Sequence, residues 1–206
     1  MYVPASFGET NPDKLLDFVA RYPFATVITP APAELWISHV PLLARRGDGG
    51  IVLAGHLARG NAHWQAMEGG APTTAIFHGP HAYVSPNWYA TSPAVPTWNY
   101  AVVHAAGRAR VHDDQRFVDE LVRELTETYE GRRAGAWSPQ GLPADFAHAA
   151  LTAIVGFEIA VDTLEGKLKL SQNRSAEDRL GVIAHLEAEG SEVSRAIAAL
   201  MRAANS

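Results

Sequence analysis

The sequence predicts a mainly β fold with inserted helices, an α+β chain whose strands pair largely antiparallel. Short runs rich in β-branched and aromatic residues, at 24–29, 34–40, 50–56 and 73–79, follow one another with little more than proline- and glycine-containing breaks between them. That is the pattern of a meander rather than of strands alternating with crossover helices. Apolar spacing takes a helical period mainly in separated stretches, chiefly 113–129 and the segment after 175.

Each element has a local cause. Asn11-Pro12 offers a capping side chain and a proline at the first helical position, Leu15, Phe18, Val19 and Tyr22 recur at helical spacing, and Pro23 closes the helix. Pro30, Pro32 and the 47–50 turn divide the first three strands, and a short helix fits 60–68. The strand at 73–79 resumes at 81–85 beyond Gly79-Pro80, where proline implies an edge or a bend. Residues 97–111 form one long strand in which Gly107 suggests a bulge. Asp113 and Asp114 start an amphipathic helix carrying Phe117, Leu121 and Leu125 on one face. A polar loop spans 131–143, a helix fits 144–153, and a strand returns at 154–161. Gly190 splits the tail into two helices, capped by Ser175 and Ser191.

Composition narrows the chemistry. Of 206 residues, 47% are hydrophobic and 19% charged, which excludes a disordered chain and allows a full core. No apolar stretch approaches the roughly 18–20 residues of a membrane span, and MYVPASFGETNPDK lacks a basic region followed by an apolar one. The expected location is therefore the cytoplasm, with no membrane partner. The absence of cysteine removes disulfides, thiolate metal sites and cysteine nucleophiles, leaving histidines, carboxylates, hydroxyls or a bound cofactor.

The net charge of -5 argues mildly against nucleic acid, but the charge is uneven. Between His39 and His112 stand Arg45, Arg46, Arg59, Arg108 and Arg110 against only Asp48 and Glu68, together with seven of the nine histidines. This cationic middle suits an anion, although strands simply carry fewer carboxylates than surface helices. The paired tail helices resemble a DNA-reading hairpin. Yet Glu177, Asp178, Glu187, Glu189 and Glu192 outnumber Arg179, Arg195 and Arg202 there, so DNA is only weakly supported as a partner.

Three segments carry candidate chemistry. At the strand-to-helix junction 54–64, His56 ends a strand and a helix begins near Gly60-Asn61. Free backbone N–H groups there, with the Arg59 fork, suit a phosphate; without one, Asn61 is only a cap. The second, 77–89 with 96–100, sets Tyr83, Trp88, Tyr89, Trp98 and Tyr100 among polar residues including Thr97 and Asn99, which suits a planar heteroaromatic ligand or the sealing of a barrel. His78-x-x-His81 invites a metal, but acids are too scarce nearby, and no metal is expected. In the third, 165–174, an extended backbone would put Lys167, Lys169, Ser171 and Asn173 on one face, offering Lys169 and Ser171 to an anionic ligand edge or merely to solvent. No G-x-S-x-G or G-x-G-x-x-G occurs, so a serine hydrolase elbow and a Rossmann site are excluded, and no catalytic residue is assigned.

Taken together, Met1-Tyr2-Val3-Pro4, His39-Val40-Pro41-Leu42, Gly55-His56-Leu57-Ala58-Arg59 with Asn61 and Trp64, Gly79-Pro80-His81-Ala82-Tyr83, Pro96-Thr97-Trp98-Asn99-Tyr100 and Lys169-Leu170-Ser171-Gln172-Asn173-Arg174 resemble the PaiB family, described as FMN-binding negative transcriptional regulators. Ala62 departs from it, since the family more often has proline after the Asn. The resemblance implies a flavin-reductase-like split barrel, a six-stranded antiparallel barrel with peripheral helices, found as a homodimer with FMN at the subunit interface. It implies a barrel domain over 1–174 and a helical hairpin over 175–206, packed on the barrel or the dimer interface. Arg59 and Asn61 would then lie near the FMN phosphate, with Thr97, Trp98 and Asn99 beside the cofactor, Lys169 and Ser171 approaching it from another strand, and His56 also among the cofactor-binding residues. A cation near the pyrimidine edge would favour the anionic reduced flavin. The same barrel hosts flavin-dependent oxidoreductases of the pyridoxamine-phosphate-oxidase and flavin-reductase kinds, and haem binders with an axial histidine. These are the alternatives.

Overall fold

The computed structural model describes residues 1–47, 49–131 and 133–204. Asp48 of the expected 47–50 turn, Arg132 of the expected loop, and residues 205–206 of the tail lie outside them. Among the described residues there are eight strands, β1 (Gly8–Glu9), β2 (Phe24–Ala31), β3 (Glu34–Pro41), β4 (Leu43–Gly47), β5 (Gly50–Ala58), β6 (Pro72–Val84), β7 (Thr97–His112) and β8 (Ile154–Lys169). Six α-helices accompany them: α1 (Pro12–Arg21), α2 (His63–Ala66), α3 (Gln115–Glu130), α4 (Ala144–Thr152), α5 (Ala176–Glu189) and α6 (Glu192–Ala203). Hydrogen-bonded neighbours run β3-β2-β6-β7-β8-β5-β4, with β1 added on β8, so the sheet follows an open path of eight strands rather than a closed barrel of six.

The chain forms two compact units, 1–22 with 77–104 and 164–206, and 23–76 with 105–163, whose boundaries fall between α1 and β2 and inside β6, β7 and β8. In the second unit β2 and β3 pair antiparallel from Phe24↔Pro41 to Ala31↔Glu34, and β5 pairs β8 from Val52↔Ala160 to Ala58↔Ile154. Helix α3, capped by the Asp114 side chain, buries Leu121 and Leu125 against Leu43 and Ala54. In the first unit Asn11 caps α1 through the amides of Asp13 and Lys14. Leu170, Val182, Leu186, Ile197 and Met201 form one apolar cluster with Val84, joining the tail helices to the ends of β6 and β8. Gly190 at φ 69° turns the chain between those helices, a conformation glycine adopts without a Cβ penalty.

Two strand interiors differ from expectation. Buried and exposed positions alternate without a break through Gly107, so β7 carries no bulge there. Instead a Cβ at Gly107 would lie 1.8 Å from the Ala160 carbonyl oxygen, so glycine permits a close backbone approach to β8. The change of phase occurs in β6, where burial passes from Thr73, Ala75 and Phe77 to Pro80, Ala82 and Val84. It falls at Gly79, where a Cβ would meet the Phe18 ring at 2.6 Å.

Gly107→Ala is therefore expected to destabilise the protein by about 1–3 kcal/mol or more, because the obstructing atom is backbone. Denaturant unfolding measures this, and an unchanged midpoint contradicts the close-approach role.

Candidate functional site

The first unit encloses a cavity of about 210 Å³ lined by the start of β7, the end of β8, the 171–174 turn and the chain before β7. Thr97, Asn99, Lys169 and Ser171, four of the residues singled out in the sequence, all line it. The strand reading fails at its last residues: β8 stops at Lys169, Leu170 and Ser171 are both buried, and Ser171 takes φ 63°. Extended alternation ends because Gln172 closes a turn. Its side-chain oxygen accepts from Leu170 N at 2.7 Å, and its amide nitrogen donates to Leu168 O at 2.5 Å. Asn99, 1% exposed, bonds the Ser171 hydroxyl through both its nitrogen and its oxygen, at 3.0 and 3.2 Å.

Two cations line this cavity. The Lys169 ammonium donates to the Thr97 hydroxyl and, at 2.6 Å, to the Trp98 carbonyl. Burial, then Lys167 and Arg174, hold its pKa below the usual lysine value. The Arg174 guanidinium lies 4.4 Å from the Tyr89 ring centroid. Asp178, 1% exposed, fixes the chain after Tyr89 by accepting from Ala90 N and Thr91 N at 2.9 and 3.0 Å and from the Thr91 hydroxyl at 2.6 Å. The Thr91 hydroxyl, followed by the two amides and the Arg174 charge, lowers its pKa. Trp98 points elsewhere: it is 53% exposed, beside His81 and edge-on to Tyr83 at 6.0 Å. Sequence reasoning gave Gln172, Arg174 and Asp178 no individual role. The signal for Asp178 was present, since Ser175-x-x-Asp178 is an acidic capping pattern at a helix start.

His56, Arg59 and Asn61 belong to the second unit. His56 is half-buried on β5, its Nδ1 lacks a partner, and burial lowers its pKa. Arg59 donates through Nε to Thr152 O at 2.8 Å and through Nη2 to Ile154 O at 3.2 Å and the Asp113 carboxylate at 2.5 Å. The expected helix over 60–68 is only the four residues of α2, too short for a useful dipole, and its N-cap position, Ala62, makes no side-chain cap bond. Asn61 accepts from His63 N at 3.1 Å and donates to the Ser38 hydroxyl at 3.0 Å, which also meets His63 Nδ1 at 2.8 Å. His63, fully buried beside Trp36, thus ties Asn61 into the unit.

Carboxylates distant in sequence offset the cationic middle. Asp113 pairs Arg59, while Glu124 and Glu158 pair Arg45.

The open antiparallel sheet with peripheral helices is the fold of flavin-binding split-barrel proteins. The chain aligns with the flavocytochrome Anf3 of Azotobacter vinelandii at TM-score 0.60 and 15% identity, over 79% of this chain and 69% of that one. It aligns with an FAD and heme binding protein of Mycobacterium smegmatis at TM-score 0.59 and 19% identity, over 84% and 78% of the two chains. Within that class the chain belongs to the PaiB family: residues 1–163 match the family model "Putative FMN-binding domain". It is 36% identical to the "Protease synthase and sporulation protein PAI 2" of Bacillus subtilis (strain 168), over 98% of this chain and 96% of the relative. It is a PaiB-type protein with a flavin-binding domain, and among the described residues no helix is long and apolar enough to cross a membrane.

His56, His63 and His104 all sit below the ordinary imidazole value of 6.5, burial being the first cause in each. A depressed folded-state pKa means that the unfolded chain binds more protons, so the neutral histidines stabilise the fold above about pH 6.5 and that stability is lost as pH falls. The melting temperature is expected to fall from pH 7 to pH 5, and His63→Gln to flatten the slope. A melting temperature independent of pH over this range contradicts the assignment.

Proposed function

We propose that the protein is a cytoplasmic, homodimeric FMN-binding flavoprotein of the PaiB type that acts as a negative transcriptional regulator, with the state of the flavin as its input. Membership of the family and the polar, cationic cavity of the first unit support this reading, and the cavity is the observation that carries it. FMN supplies one- and two-electron redox chemistry when bound. Thr97, Asn99, Lys169 and Ser171 are assigned to positions beside its ring system, whereas Trp98 faces His81 and Tyr83 instead. These residues fit such a group: fixed hydroxyl and amide donors stand beside a half-buried cation.

In the second unit Arg59 and Asn61 are assigned to the phosphate, with His56 near them. Arg59 would exchange Asp113 for that phosphate. The exchange costs little, because the two side chains are 41% and 59% exposed and such pairs add little net stability. The acidic tail helices favour packing or dimerisation over direct phosphate contacts with DNA.

Titration of the apo protein with FMN, FAD and haem, followed by absorbance, tests the reading, and FMN is expected to bind most tightly. Arg59→Ala is expected to weaken FMN by about tenfold or more, and Asp113→Asn to tighten it severalfold by releasing the guanidinium. An unchanged FMN dissociation constant in Arg59→Ala refutes the phosphate assignment, and preference for haem or FAD refutes FMN.

A further inference from the structure

The first unit's cavity is built for negative charge. Lys169 and Arg174 line it, no carboxylate does, and among the described residues no carboxylate lies within ion-pair distance of Arg174. Asp178, four residues beyond Arg174 and within reach of its charge, already bonds the two amides and one hydroxyl of the 90–91 segment. Arg174 is instead oriented by the Tyr89 ring, which positions a guanidinium without neutralising it. Lys169 spends two of its three N–H bonds on Thr97 and Trp98 and keeps the third. Burial first, and then the neighbouring charges of Lys167 and Arg174, lower the pKa of Lys169, while Asp178 acts on Arg174 only from beyond ion-pair distance.

The floor of the cavity is also held rigidly. Ser171 is the non-glycine residue with positive φ among the described residues, and side-chain bonds from Asn99 and Gln172 fix the turn around it. Backbone strain of that kind persists where the surroundings over-determine it. At about 210 Å³ the space is smaller than the roughly 300–1,000 Å³ of pockets that enclose a whole ligand, so it suits an end group.

We propose that this cavity binds the anionic group, a carboxylate or phosphate monoester, of a small organic ligand other than the cofactor, with Arg174 and Lys169 as its charge partners. The word "other" rests on the assignment of the cofactor's phosphate to Arg59 and Asn61; the anion site itself rests only on the cavity. The protein's ligand class is then a small organic anion, whether substrate or effector.

Calorimetric titration of the FMN-saturated protein with inorganic phosphate, and separately with acetate, at low ionic strength tests this, beside an FMN titration of the same variants. Binding of either anion to the wild-type protein, weakened about tenfold or more in Arg174→Gln and in Lys169→Met with the FMN dissociation constant unchanged in Arg174→Gln, supports it. Preference between the two probes separates the phosphate from the carboxylate source. Anion affinity unaltered in both folded variants overturns the site. Competition between phosphate and FMN, with both weakened in Arg174→Gln, overturns the second ligand and places the cofactor's own phosphate in the cavity. Arg174-dependent anion binding by a protein that takes up no FMN supports the site and removes the cofactor reading alone. Far-UV circular dichroism confirms folding, and Lys169→Met serves where Arg174→Gln does not fold.

Discussion

The turn after β8 is the constraint around which the first unit's cavity is arranged. Left to its strand, the chain would carry Ser171 and Asn173 onward on the face of Lys169. The Gln172 side chain folds back onto Leu170 N and Leu168 O and closes the turn, with Ser171 at φ 63°. A non-glycine residue there costs about 1–3 kcal/mol. Asn99 from β7 and the bond from Arg174 N to Ser171 O, 3.0 Å, help to offset that cost. The result places the Ser171 hydroxyl, the Asn173 amide and two cations around a single small space, which an uninterrupted strand would instead have spread along its length.

Charge in the second unit follows a different logic. The middle of the chain is less cationic in space than along the sequence, because two of its five arginines are met by acids that enter later. Arg45 reaches Glu124 on α3 and Glu158 on β8, and Arg59 reaches Asp113 just beyond β7. His112 bonds Glu158 at 2.9 Å as well. A local count of residues therefore overstates the potential available to a ligand, since the Coulomb term depends on separation in space.

Most of the architecture was legible because its causes are local. Asn11, Asp114, Ser175 and Ser191 cap helices through their own side chains, and Gly190 separates α5 from α6. What stayed hidden depended on partners far away in sequence. Glycine at 107 signals a special backbone in either reading, and only the opposing Ala160 carbonyl distinguishes close approach from a bulge. Strand β4, Leu43–Gly47, carries two arginines and little β-branched character, and forms because Leu43 to Gly47 pair Ala54 to Gly50. The site divides in the same way: Thr97, Asn99, Lys169 and Ser171 were nameable from the sequence, whereas Asp178 and Arg174 owe their roles to the 89–91 segment.

Arg59 and Arg174 then stand for two ways of holding a guanidinium ready. Arg59 is kept in place by a carboxylate and two carbonyls, so an anion arriving there must displace a like-charged competitor, and the gain is the difference between two similar contacts. Arg174 rests on an aromatic face, which restricts its geometry without a direct ion pair. The first arrangement gives an exchangeable site that salt and Asp113 both weaken. The second is preorganised, and its repulsion with Lys169, which Asp178 offsets only from beyond ion-pair distance, eases further when negative charge enters, so the same anion gains more there for each bond it makes.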